Sequence, residues 1–221
     1  MFEENIFVEN DGIHLEGIIS YSEKTKNDSA ILLFPPHPKL GGDIKNNVIT
    51  ALSNAFVKNG FFTARFNYRG VGKSEMEDKD ISLFDYWDSL DSKNDFTKII
   101  ADNNLAAEEI INISSAKSLI LVGYSFGTKI AAELSLKQNV SHIVLISPPL
   151  SFYDYSKLAQ FGGKILFILA ENDICLNEDE LKLFTKKHSI DAKIELIRGE
   201  DHFYRGKEDK IAEISLSFIS Q

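Results

Sequence analysis

Residues 120–128 read Ile120-Leu121-Val122-Gly123-Tyr124-Ser125-Phe126-Gly127-Thr128, and the fold turns on this stretch. Residues 119–123 are apolar and strand-like, while residues 126–137 place Ile130, Ala131 and Leu134 at helical spacing. A serine flanked by glycines two positions either side therefore sits where a strand turns straight into a helix. Such a turn crowds the backbone, and the glycines leave room for neighbouring strand and helix atoms. The Ser125 hydroxyl then stands above the strand end, at a helix N-terminus whose dipole favours negative charge. That is the placement a nucleophilic hydroxyl needs. The rival reading is a chance match, since small residues are common at such turns, so the partners elsewhere in the chain decide.

Outward from the elbow, apolar runs alternate with amphipathic stretches. Strands are predicted over residues 6–9 and 14–21 (joined by an Asp11-Gly12 turn), 30–34, 62–67, 142–146, 165–170 and 192–198. Helices are predicted over 44–58, 96–113, from an Asn177/Glu180 capping pair to about 187, and over 207–219. Strand–helix alternation argues for an α/β fold, a mostly parallel sheet with helices on both faces and right-handed crossovers. No repeat or linker interrupts residues 1–221, which read as one domain.

Where a serine elbow of this kind operates, an acid and then a histidine follow it in the chain. Asp173 lies in the loop after the strand ending at Ala170, and His202 in the loop after the last strand. Both follow strand C-termini, where open parallel sheets bind ligands. His202 is the expected base for Ser125, and Asp173 is expected to fix its tautomer. Glu171 and Asp201 compete for the acid role, as do His142 and His188 for the base. Glu171 sits too near its strand end, Asp201 suits loop stabilisation, His142 is read as opening a strand at the wrong sheet edge, and His188 follows a helix. Cys175 has no cysteine–histidine arrangement of its own. Two N–H groups are also needed for an oxyanion: that of Phe126, and one from Pro35-Pro36-His37-Pro38-Lys39-Leu40-Gly41-Gly42. Proline cannot donate, so Lys39 is the first choice and His37 the second.

Composition bounds the partners. With 24 Lys+Arg against 33 Asp+Glu, the formal charge of -9 disfavours nucleic acid and anionic membranes. The single cysteine cannot form an internal disulfide, the acidic start lacks a signal-peptide layout, and no apolar run matches a membrane span. A cytoplasmic protein is expected, with no cofactor, no metal and a small-molecule ester as partner. Self-association as a homodimer stays open.

Several pieces are recognisable together: Pro36-His37-Pro38…Gly41-Gly42, Arg65 through Ser74, Gly123 through Gly127, Ser147-Pro148-Pro149, and Asp201 through Lys207. The chain resembles the small, lidless α/β-hydrolases related to dienelactone hydrolase, in particular the bacterial carboxylesterase-like group with an H-P-H-P…G-G loop. The resemblance implies an α/β-hydrolase fold and a Ser–Asp–His hydrolase acting on esters; the same triad serves thioesterases, acyltransferases and peptidases. A non-catalytic binding protein of this fold would show a broken triad, and a dehalogenase an aspartate at the elbow. The residue 69–74 run is expected to be a structural turn, without phosphate-loop spacing. Pro35 departs from the pattern by replacing the first histidine. Residues 75–95, rich in acids and aromatics and holding Trp87, are another departure, taken as surface rather than pocket rim. The short connection after residue 146 leaves no room for a lid, so a shallow cleft and small acyl groups are expected.

Overall fold

The computed structural model describes residues 1–25, 28–137 and 139–221. Eight strands form one sheet in the order β1-β2-β4-β3-β5-β6-β7-β8. They are β1 Phe2–Asn10, β2 Ile13–Tyr21, β3 Ser29–Phe34, β4 Phe62–Phe66, β5 Ser118–Tyr124, β6 Val140–Ile146, β7 Lys164–Asn172 and β8 Lys193–Asp201. The β1–β2 hairpin and the β2–β4 pair are antiparallel, and all other neighbours are parallel. Asp11 and Gly12 take the positive φ values, 51° and 74°, that a tight hairpin demands.

Both faces of the parallel strands are covered, which is why they read as unbroken apolar runs. Alternate side chains of β3 separate two cores. Ala30, Leu32 and Phe34 face the side closed by α3 Thr97–Ser114 and α4 Phe126–Leu134. Ile31 and Leu33 face α1 Asn47–Lys58 and α6 Glu208–Ile219. Helix α5 Glu178–His188 opens with the predicted capping box, formed reciprocally by Asn177 and Glu180. Among the described residues no helix is long and apolar enough to cross a membrane.

Two expectations need correction. His142 does not open its strand: β6 begins at Val140, and His142 is its third residue. Residues 75–95 are not a surface segment: they contain α2 Leu83–Lys93, capped by Ser82 accepting from the Asp85 N–H, with Trp87 fully buried in the core. Leu83, Trp87 and Leu90 lie on one face at helical spacing and pack inward, so the acids occupy the other positions.

The Arg69–Ser74 run is a structural turn anchored by the buried side chains of Arg69, Val71 and Ser74. Arg69 makes two 2.6 Å bonds to the Asp102 carboxylate on α3 and a third to Glu77. Its carbonyl accepts from the Trp87 indole N–H at 3.1 Å, tying the turn to α2.

Candidate active site

The elbow forms at the end of β5. Ser125 has φ 52° and ψ −119°, a region that non-glycine residues avoid. Its N–H bonds to the Ile146 carbonyl at 2.9 Å, and its own carbonyl accepts from the Thr128 N–H at 3.0 Å. Both flanking glycines are sterically required. A Cβ on Gly123 would lie 2.4 Å from the Gly127 carbonyl oxygen, and one on Gly127 would lie 2.0 Å from that of Phe34. Helix α4 thus starts directly against the loop that follows β3.

Asp173 and His202 follow β7 and β8. The last paired residues of these strands are Asn172 and Asp201, with an irregularity after Ala170 that redirects both ends. His202 is 3% exposed. Its Nε2 is 3.0 Å from Ser125 Oγ, and its Nδ1 is 2.9 Å from Asp173 Oδ1. The His202 carbonyl accepts from the Tyr124 hydroxyl at 2.7 Å, so the residue before the serine also anchors the histidine loop. Burial pushes the Asp173 carboxyl up; the His202 ring, the Ser147 hydroxyl and the Cys175 N–H outweigh it and hold it below its ordinary range. Ser147, following β6, shares a 2.6 Å hydrogen bond with Tyr204.

The competing residues have other engagements. Glu171 accepts from the Gly199 N–H at 2.8 Å, and Asp201 from the Phe203 N–H at 2.9 Å. His142 lies at the opposite end of the sheet from Ser125, and His188 closes α5 with its ring against Phe184. Cys175 sits close enough to Asp173 and His202 for the three to offer ligand atoms within 4.8 Å of one another. The His202–Asp173 hydrogen bond already occupies Nδ1, and burial together with Asp173 pushes the Cys175 thiol up.

Ser125 opens into a pocket of about 460 Å³ lined by His37, Lys39, Asp91, Phe126, Pro149 and Tyr153. The pocket stays open to solvent, and α2 supplies part of its lining through Asp91. Leu40, Phe152 and Ile174 rim the pocket and are 68%, 67% and 72% exposed, apolar surface that an apolar ligand would cover. Among the described residues no lid covers the pocket: β6 and β7 are joined by residues 147–163, whose only helical piece is the short 3-10 turn Ser156–Gln160.

The family model for the alpha/beta hydrolase fold matches residues 40–176, more than half the chain. This chain belongs to the α/β-hydrolase fold family. A curated relative, uncharacterized protein RP471 of Rickettsia prowazekii, is 28% identical over 204 residues, covering 87% of this chain and 79% of its own. Among solved structures, an α/β serine hydrolase homologue from Coxiella burnetii superposes with a TM-score of 0.81 at 24% identity, covering 96% of this chain and 94% of its own. XC6422 of Xanthomonas campestris, described as an α/β serine hydrolase without a lid, has a TM-score of 0.79 at 17% identity, covering 96% and 90%. These likenesses agree with the lidless α/β-hydrolase that the motifs suggested.

The loop after β3 departs from expectation. Lys39 N–H donates to His37 Nδ1 at 3.2 Å, inside the 3-10 turn Pro38–Leu40, so it is not free for a substrate oxygen. Among the described residues no partner accepts the His37 N–H. The loss of the Lys39 N–H to the His37 ring was not visible in the sequence, where the His37 N–H stood as second choice.

Proposed function

We propose that this α/β-hydrolase cleaves carboxylic esters with apolar acyl groups through an acyl-enzyme on Ser125. The observation that carries the reading is the line Ser125 Oγ–His202 Nε2–Asp173, with contacts of 3.0 and 2.9 Å, at the base of an apolar pocket. Ionised Asp173 accepts the hydrogen bond from Nδ1–H, stays ionised, and leaves Nε2 to take the serine proton as Oγ attacks the ester carbonyl. His202 then returns that proton to the departing alcohol. Water, deprotonated by the same nitrogen, hydrolyses the acyl-enzyme and regenerates the serine. The tetrahedral oxyanion is assigned to the N–H of Phe126 and that of His37, the latter replacing Lys39 as the loop donor.

The pocket favours neutral acyl groups. Its two nearest charges, Lys39 and Asp91, already pair with each other at 3.0 Å, and its remaining wall is largely aromatic or aliphatic. Each methylene buried there contributes about 0.8 kcal/mol, roughly a fourfold gain in kcat/KM per carbon until the pocket is full. In a p-nitrophenyl ester series the rate is expected to rise beyond acetate. A maximum at acetate would refute this pocket as the acyl site. Ser125→Ala is expected to lose several orders of magnitude in kcat and all labelling by a fluorophosphonate probe. Hydrolysis by Ser125→Ala at the parent rate would refute the reading as a whole.

A further inference from the structure

We infer that Asp91, on α2, is a positioning residue that fixes the oxyanion-binding loop through the His37 ring. The inference rests on the esterase reading above and concerns how its oxyanion hole is held. Asp91 Oδ1 lies 3.0 Å from His37 Nε2, and the other ring nitrogen, Nδ1, accepts the Lys39 N–H at 3.2 Å. Because Nδ1 accepts, the ring proton resides on Nε2 and is donated to Asp91. One imidazole thereby links a helix carboxylate to a backbone N–H of the loop.

The rest of the loop shows what this link decides. Pro35, Pro36 and Pro38 have no N–H. The Lys39 N–H is consumed by the ring, so the His37 N–H is the one left for a ligand. The His37 carbonyl accepts from Leu40 and Gly42 at 2.9 and 3.1 Å, which fixes the following peptide plane. Gly42 packs so closely that a Cβ there would lie 2.0 Å from the Pro36 carbonyl oxygen. Edge-on contacts with Trp87 and Phe126, at centroid distances of 5.0 and 5.1 Å, leave the His37 ring little freedom but do not set which way its nitrogens point. Asp91 sets that. Burial lowers the His37 pKa, which keeps Nδ1 an acceptor. Asp91 Oδ2 and Asp88 hold the Lys39 ammonium at 3.0 and 2.7 Å, a separate contact that leaves the ring untouched.

The test compares Asp91→Ala, Asp91→Asn, His37→Phe and Asp88→Ala for p-nitrophenyl butyrate hydrolysis, for inhibition by an alkyl trifluoromethyl ketone, and for thermal melting. Loosening a donor costs less than the 10²–10³ of deleting one, so Asp91→Ala is expected to lower kcat roughly 10- to 100-fold, with KM within about threefold of the parent. The ketone, whose serine adduct carries an oxyanion, is expected to weaken by the same factor. Asp91→Asn keeps an acceptor oxygen for Nε2–H and is expected to restore most of kcat. His37→Phe keeps a ring but no nitrogen and is expected to fall with Asp91→Ala. Asp88→Ala is expected to match the parent. Parent-like kcat in Asp91→Ala or His37→Phe overturns the inference, as does Asp91→Asn being as slow as Asp91→Ala, or a loss confined to KM. If Asp91→Ala fails to fold, His37→Phe and Asp91→Asn decide. An inactive Ser125→Ala beside parent-like Asp91→Ala and His37→Phe refutes this inference alone, whereas an active Ser125→Ala refutes the esterase reading itself.

Discussion

Replacing Gly127 by alanine tests whether the elbow and the loop after β3 form one tightly fitted unit. The added Cβ would sit 2.0 Å from the Phe34 carbonyl oxygen and 2.7 Å from that of Pro35. Both obstacles are backbone, so no side chain can rotate away. Reaching even a 3.0 Å contact requires the start of α4 and the end of β3 to part by about 1 Å (3.0 minus 2.0). Overpacking of this kind typically costs about 1–3 kcal/mol, and for a chain of this size that is a fall in Tm of roughly 2–12 °C. Activity should suffer more than stability. Ser125 is bonded to α4 and His37 follows β3, so separating the two moves the proposed nucleophile away from the proposed oxyanion donor. A displacement of that size costs on the order of 100-fold in kcat. The assay is p-nitrophenyl butyrate turnover beside a thermal melt, with Gly162→Ala as control, since a Cβ at Gly162 meets nothing within 4 Å. Gly127→Ala with parent kcat and parent Tm would refute the close fit between elbow and loop.

Two further predictions concern the surrounding structure. Asp102→Ala leaves Arg69, 2% exposed at its side chain, without its bidentate acceptor, and is expected to destabilise the fold by about 3–5 kcal/mol; a loss under about 1 kcal/mol in urea unfolding would contradict the turn's structural role. Asp173 has a folded-state pKa below its ordinary value, so its contribution to stability is full above the ordinary aspartate range and is lost as pH falls through the lowered value. Urea midpoints measured from pH 5 downward should therefore fall less steeply in Asp173→Asn than in the parent, and identical slopes would show that the His202 contact does not lower the carboxyl.

The parallel strands were legible because burial on both faces leaves no polar alternation to confuse them; β3 and β5 match their apolar runs almost residue for residue. Boundaries slipped where side chains intervene in the backbone. The first helix was expected from residue 44, but Asn46 caps it by accepting the Val48 and Ile49 N–H groups, while the Ile44 N–H goes to the Asn67 side chain. The last strand runs on to Asp201 through Gly199 at φ 76°, a conformation that apolar patterning does not report. Ser125, Asp173 and His202 were legible for another reason: each directly follows a strand, so chain order and strand ends sufficed to bring them together.

Residues 75–95 resisted because their partners lie far away in the chain. Asp91 meets His37 across 54 positions and Asp88 meets Lys39 across 49, and an acid seen without its partner looks like a solvated helix face. The inward stripe Leu83–Trp87–Leu90 follows the period of an amphipathic helix, but periodicity alone does not say against what that stripe packs. The answer comes from Arg69, whose carbonyl holds the Trp87 indole and whose guanidinium holds Asp102 on α3. The glycine-rich turn after β4 therefore seats α2, and α2 places Asp91 under the His37 ring. A segment whose sequence departs from the family's pattern is thus joined to a turn that follows that pattern, and the pocket lining depends on both. Substitutions in the Arg69 turn should consequently reach the oxyanion loop through α2, without any contact to substrate.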